Sequence, residues 1–429
     1  MTAKEQQSDS TEVTQITTAL LNAWATDKDG PVALHLKQRL FPVETLEGEE
    51  GILYPPTYAD IGYNIDTLSD GTKVALIDSV GSPANRMEPI FTSKFATKTE
   101  DGKETEDWLV PQIEIVLRKE DCGKCEVCKK DKRKKDEVCQ DPRKVKCSIL
   151  ELAHRIADAV VHSSPSLKAA VEEAFAALQD SGDAGPLCKL APTSLVFGVW
   201  DSRGSNEKRP RLVRSLIRAW DIDVLHAAAQ FNSVWKALSE EQQGAIEKAK
   251  EENTKLSATG FADAPATFRK VGKTAAKDMK LFRDGIPNPE RRVLGGVLAR
   301  GRIEREVTLN LVALRGIRGK DDETTAIRKY LLGLSLVAAM ADIDLFLREG
   351  CNLRFDKDDV WYSIPRRGKP SPVNLASAES RKLVLEFASN AAKHFRADWP
   401  KQLEHLFDLK SAKEIVAKNA DADSDEEQP

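Results

Sequence analysis

Five of the seven cysteines in this chain fall between Cys122 and Cys147, in a stretch crowded with lysine and arginine. So polar a segment cannot bury enough apolar surface to hold its own shape, and something other than a core must fix it. The spacing Cys122-x-x-Cys125-x-x-Cys128, followed by Cys139 and Cys147, suits thiolates closing tetrahedrally on a zinc ion while the short loops between them turn. The surrounding cations favour thiolate formation and offset part of the charge of such a site. The expected ligands are Cys122, Cys125, Cys128 and Cys139, with Cys147 as a substitute, and the expected role of the zinc is structural. Two other readings stay open. An iron–sulfur cluster also begins with C-x2-C-x2-C, although the further Cys-Pro of that pattern is missing. Unligated thiols in a basic loop are the blander alternative.

Around this segment the pattern is mixed. Alternation predicts strands over Pro31–Leu40, Val74–Val80, Trp108–Leu117, Thr193–Val199 and Glu306–Leu314, and a hairpin over Asn352–Ile364. Helical spacing predicts helices with Ile16, Ala19, Leu20 and Ala23 inward, then from about Asn85 to Phe91, Ile149 to Val160, Leu167 to Leu178, His226 to Asn253, Thr324 to Phe346 and Ala376 to Phe395. Ser148 with Glu151 three residues on forms a capping box at the head of the third. Phe261 to Pro289 reads as loop-rich. Strands and helices do not alternate as βαβα, so an α+β fold is expected over a doubly wound one. One domain from 11 to 414 is expected, carrying inserts at about 119–147 and 226–290, between a disordered tail at 1–10 and an acidic one at 415–429.

No apolar run approaches the roughly 18 to 20 residues that cross a bilayer. The polar start, Met1 to Glu12, has neither a basic nor an apolar region of a signal peptide, so a cytoplasmic protein with no membrane partner is expected. The formal net charge is −4, which argues against a nucleic-acid binder until its distribution is considered. Acid gathers in the tails; base gathers at Arg118–Lys146, Arg203–Arg218 and Arg269–Lys320. Local potential rather than the total sets the attraction for phosphate.

The second of these basic stretches, Trp200-Asp-Ser-Arg-Gly-Ser-Asn-Glu-Lys-Arg-Pro-Arg211, offers Arg203, Lys208, Arg209 and Arg211 to phosphates and Trp200 to a base face. Within the third, Arg291, Arg292, Arg300 and Arg302 flank paired glycines that allow close backbone approach. Asn85, Arg86, His154 and Arg155, beside turns and helix starts, are further candidates for contact with nucleic acid. Catalytic patterns are missing. The six histidines include no HExxH pair, and no P-loop, GxGxxG or G-x-S-x-G occurs, so no enzyme is expected.

Several segments together resemble the backbone RAMP subunit of the type I-G (formerly I-U) CRISPR surveillance, or Cascade, complex. They are Asp78-Ser-Val-Gly-Ser-Pro-Ala-Asn-Arg-Met-Glu88, Ala153-His-Arg-Ile-Ala-Asp-Ala159, Ala191-Pro-Thr-Ser-Leu-Val-Phe-Gly-Val-Trp-Asp-Ser-Arg-Gly204, Gly295-Gly-Val-Leu, Leu309 to Arg315 and Gly350-Cys-Asn-Leu353. The resemblance implies an RRM-like (ferredoxin-like) RAMP core with large insertions. It implies a non-catalytic subunit that oligomerises along CRISPR RNA beside other effector subunits and presents the guide to target DNA in antiviral defence. Neither the cysteine segment nor the 226–253 helix maps onto a motif of that family. A metal-independent RAMP endoribonuclease is the alternative, with His154 or His162 as general base and Arg203 on the phosphorane. A zinc-dependent DNA-binding regulator is a third reading, without a helix-turn-helix pattern behind it.

Overall fold

The computed structural model describes residues 13–426 apart from 47–48, 59–60, 80, 99–103, 126, 131–138, 140–141, 227–237, 249–281, 284–285, 288–293, 321 and 357–358. Strands and helices are mixed in an α+β arrangement with several sheets.

The alternation after Pro31 produces β1 (Ala33–Pro42), which turns Leu34, Leu36, Gln38 and Leu40 inward. It lies at the centre of a large sheet with β2 (Lys73–Asp78), β5 (Val213–Trp220), β6 (Ile303–Asn310) and β7 (Val360–Ile364). Across the sheet the order is β7, β1, β6, β5, β2, every neighbouring pair antiparallel. Leu36 stands opposite Val307, and Ser215 stands opposite Val307 from the other side. Short strands extend both edges: Ser371–Asn374 with Thr14–Gln15 beyond β7, and Ile65–Thr67 beyond β2.

Helices cover the inward face. They include α1 (Thr18–Thr26), α3 (Pro165–Ser181), α4 (Pro192–Phe197), α5 (Glu323–Ala339) and α6 (Ala378–Phe395). Their apolar residues, among them Trp24, Phe197, Leu334 and Phe395, join Leu34, Leu36, Val307 and Leu309 in one core. At Gly333 the backbones of α5 and α6 meet so closely that a Cβ would lie 2.7 Å from the Cα of Ala388. A second core forms towards the other end of the same strands, from Leu40, Ile77, Ile217, Ile303 and Leu353. In register between the two sits a buried polar layer. Arg305 donates to Gln38 at 2.8 Å and to Ser215 at 3.3 Å, and burial lowers its guanidinium to about 10. Gln38 in turn donates to Asp359.

A separate three-stranded sheet carries the cysteine insert. Its hairpin is β3 (Glu114–Glu120) with β4 (Arg143–Ser148), and Glu404–Leu406 runs parallel to β3. A third sheet joins Ile222–His226, Leu294–Ala299 and Gly51–Leu53. Among the described residues no helix is long and apolar enough to cross a membrane.

Several expectations are corrected. The segment from Thr193 is helical, not a strand, because it follows Pro192 at a helix start and is buried all round, so β-branched propensity yields to packing. The capping box of Ser148 and Glu151 is present, yet it caps only the single 3-10 turn Ile149–Glu151. The helix expected to continue to Val160 is broken where Arg155 adopts a positive φ of 55°. The hairpin over Asn352–Ile364 is absent. Cys351–Phe355 and β7 instead lie end to end along the same edge of β1. The inward face of α1 is Leu21, Trp24 and Ala25 behind Ile16, and Ala19 is exposed. Strand β5, a near-central strand, is visible in the sequence only as part of a basic stretch.

Of the helix expected over His226–Asn253, Glu240–Lys248 is helical and His226 ends a strand; most of the rest, like most of Phe261–Pro289, lies outside the described residues. A last helix, α7 (Leu409–Glu426), runs across the boundary at which the sequence places the acidic tail.

Candidate nucleic-acid interface

Residues from three separate segments meet in an open cleft of about 540 Å³. Asn85 comes from α2 (Gly81–Met87), and His154 and Arg155 come from the broken turn after β4. Trp200, Lys208, Arg209 and Arg211 come from a small hairpin of Val199–Trp200 with Lys208–Arg209 that leads into β5. Gly198 has a positive φ of 79° and lets the chain pass under Arg211, whose Cγ would stand 2.8 Å from an added Cβ.

Beneath the cleft lies a buried clasp. Arg155 Nε is 2.5 Å from Glu88 Oε2, and both side chains are almost wholly buried. The same guanidinium donates to the Gly198 carbonyl at 3.3 Å and covers the Phe197 ring. Burial pushes the Glu88 carboxyl up to about 7, against the opposing pull of Arg155 and the Thr193 hydroxyl. The clasp thus ties the 3-10 turn Glu88–Thr92 after α2, the Arg155 turn and the end of α4 together. Three of the segments that carry the sequence resemblance are its three parts.

The hairpin loop is pinned from inside. Asp201, buried, accepts from His162 Nε2 at 2.8 Å and from the Ser205 backbone and hydroxyl at 2.7 and 2.9 Å. Burial raises the Asp201 carboxyl, but the hydrogen bonds from His162 and Ser205 outweigh it and hold the group below its usual range. The loop then presents Trp200, 52% exposed, with its indole N–H given to Asn206. Lys208 Nζ lies 4.1 Å from the centre of that ring. Its other face is a flat apolar surface of the kind on which bases stack.

Charge in the cleft is uneven. Arg209 pairs with Glu207 at 3.0 Å and donates to the Leu178 carbonyl. Arg211 is exposed and has no acidic partner among the described residues. Partial burial and the charge of Arg155 lower its guanidinium, the signature of a cation held beside another without compensation. His154 and Asn85 are exposed. Among the described residues, the side chains of Arg211, His154 and Asn85 offer a phosphate donors that no hydrogen bond or ion pair of the protein uses.

The remaining candidates fall elsewhere. Arg86 is engaged by Asp78 at 2.6 Å and Ser82 at 2.7 Å, and does not line the cleft. Arg203 is exposed on the loop and donates to the Ala157 carbonyl at 3.4 Å. Arg300 is neutralised by Asp223 at 2.7 Å and Glu50 at 3.0 Å, and Arg302 pairs with Glu304 while covering Trp220. Arg291 and Arg292 lie outside the described residues. Arg155, read from sequence as facing the RNA groove or making a surface ion pair, lines the cleft floor and is buried in an ion pair with Glu88. Sequence reasoning did not single out Glu88 and Asp201. The signal for Asp201 was present, as an aspartate four residues before a serine in a tight polar loop.

The thiols of Cys122, Cys125, Cys128 and Cys139 lie within 4.8 Å of one another, a group that could hold a metal ion. The Cys122–Cys128 and Cys125–Cys139 sulfur separations are 3.7 and 3.8 Å. Backbone N–H groups of Lys124 and Cys125 donate to the Cys122 sulfur at 3.4 and 3.3 Å and pull its pKa down. Lost hydration and the neighbouring thiols push Cys128 up to about 12. Cys147 is not in the group; it lies on β4 with its thiol towards the Ile115 carbonyl.

No curated protein matches the chain. Residues 34–224, which span the clasp and the cleft, match the model of the family described as CRISPR-associated protein GSU0053 (Cas_GSU0053), and this match indicates a CRISPR-associated protein.

Proposed function

We propose that the chain is a non-catalytic backbone subunit of a type I-G CRISPR surveillance complex, binding CRISPR RNA through the cleft at Trp200 and Arg211. The observation that carries this reading is the convergence of Asn85, His154, Lys208, Arg209 and Arg211 beside an exposed tryptophan. A backbone subunit grips phosphate and sugar in any sequence, and so needs cations and a stacking face rather than a base-reading pocket. The strand order gives further support. Taking β1, β5, β6 and β7 as four successive strands, their order across the sheet is 4-1-3-2, all antiparallel, with α4 ahead of the second and α5 ahead of the fourth. That is the order of an RRM-like (ferredoxin-like) core, onto which β2 and the cysteine insert are additions.

The metal read for the four cysteines is zinc. A tetrahedron with Zn–S bonds of about 2.3 Å has edges of about 3.8 Å. Two of the six sulfur separations, at 3.7 and 3.8 Å, have that length, and all six are within 4.8 Å. The endoribonuclease reading retains one observation, an exposed His154 among cations; His162, its other base, is buried against Asp201.

Titrating the protein onto single-stranded RNAs of increasing length tests the reading. Stepwise shifts whose number grows with length, and which dissolve at high salt, are expected. A single sequence-selective shift, or cleavage of repeat RNA that His154→Ala abolishes, would point to the processing enzyme instead.

A further inference from the structure

The cysteine insert shares no residue with the cleft and is not needed to build it, which leaves its purpose open. Its composition is opposite to that of the chain. Between Arg118 and Lys146 twelve lysines and arginines stand against seven acids, in a protein whose net charge is −4. A divalent cation with four thiolates subtracts two charges and leaves the segment positive. The hairpin base uses its acids internally: Glu120 is bound by Arg118 at 2.9 Å and Arg143 at 2.8 Å, and Glu404 and Glu114 by Lys144 and Lys146. Three other cations, one on β3 and two between the cysteines and just after them, are different. Lys119, Lys124 and Lys129 are exposed and have no acidic partner among the described residues.

Rigidity distinguishes this from an ordinary basic loop. Lys124 lies inside the turn whose N–H groups bind the Cys122 sulfur, and Lys129 follows Cys128 directly. A metal on the four sulfurs would fix the backbone that carries both lysines. Ordering long side chains on a fixed backbone loses less entropy on binding than ordering a free loop.

We infer that the insert is a metal-stiffened arm that binds the phosphate backbone of a nucleic acid through Lys119, Lys124 and Lys129, separately from the cleft. The inference rests on the nucleic-acid reading given above. RNA and DNA share the phosphate chemistry, and the test separates them.

The full-length protein is assayed for zinc content, and for binding to single-stranded RNA, single-stranded DNA and duplex DNA at several salt concentrations. One zinc per chain is expected. The triple variant Lys119→Glu, Lys124→Glu, Lys129→Glu, all on the surface, should keep its zinc. It should bind at least one of the polymers about tenfold more weakly, with a salt slope shallower by roughly 0.7 to 0.9 for each phosphate no longer neutralised. The polymer most affected is the one the arm holds. Cys125→Ser with Cys139→Ser should lose zinc and lose affinity for that same polymer. A triple variant with wild-type affinity and slope on all three polymers overturns the arm, and so does a wild-type chain without metal. If Trp200→Ala with Arg211→Ala abolishes RNA binding while the triple variant binds normally, the arm fails and the cleft reading stands. If the wild-type chain binds no nucleic acid, both fail.

Discussion

Arg155 occupies a left-handed conformation with φ of 55°, which costs a non-glycine residue about 1–3 kcal/mol and persists only where its surroundings impose it. Here the surroundings are Glu88, the Gly198 carbonyl and the Phe197 ring. Truncating one member of such a buried pair leaves the other charge uncompensated. Arg155→Ala is therefore expected to lose about 3–5 kcal/mol of stability in urea denaturation. Arg211→Ala, at an exposed position, should stay within about 0.5 kcal/mol of wild type yet weaken RNA binding. The reverse pattern in paired denaturation and filter-binding measurements would exchange their roles. From sequence the two arginines look alike, each a cation near a turn. Burial separates them, and burial depends on a glutamate 67 positions upstream of Arg155 that no local pattern connects to it.

At the scale of an element, the hairpin from Val199 to Arg209 is a platform held by one internal carboxylate. Trp200→Ala should weaken RNA binding by about 1–3 kcal/mol for the base it stacks, and Trp200→Phe should restore most of that; calorimetric titration with a short RNA measures both. Equal loss for both substitutions would mean that the indole N–H bond to Asn206, not the ring face, matters. Elements whose signal is periodic were legible: β1 and α6 stand close to where their patterns place them, and α5 starts where its pattern does but ends at Ala339, with a strand from Leu345 where the helix was expected to reach Phe346. Elements decided by long-range burial were not. In α4 every residue is enclosed, so no alternation remains to tell helix from strand, and β5 carries Arg214 and Arg218 on its outer face, which disguised it as a basic loop. The four cysteines were legible because coordination spacing is local.

For the whole molecule, the clasp makes stability depend on pH. Glu88 has its carboxyl raised to about 7 by burial, above the 4.5 it takes as a reference. The folded state therefore holds that proton more tightly than the unfolded one. Its contribution is complete below about pH 4.5 and is lost as pH rises through about 7. Wild type should lose stability relative to Glu88→Gln between pH 5 and 8, read as the difference of their urea midpoints. A constant difference would show that Glu88 is ionised throughout.

The polar layer of Arg305, Gln38 and Ser215 bears on how the central strands find their alignment. A slip of two residues between β1 and β6 keeps inward residues inward, so the apolar pattern alone cannot distinguish it from the true pairing. Such a slip would set Arg305 opposite Leu36 or Leu40 instead of Gln38, and strand a guanidinium among hydrocarbon. One arginine thus acts as an index mark among inward apolar positions that are interchangeable, so that the pairing has a single answer.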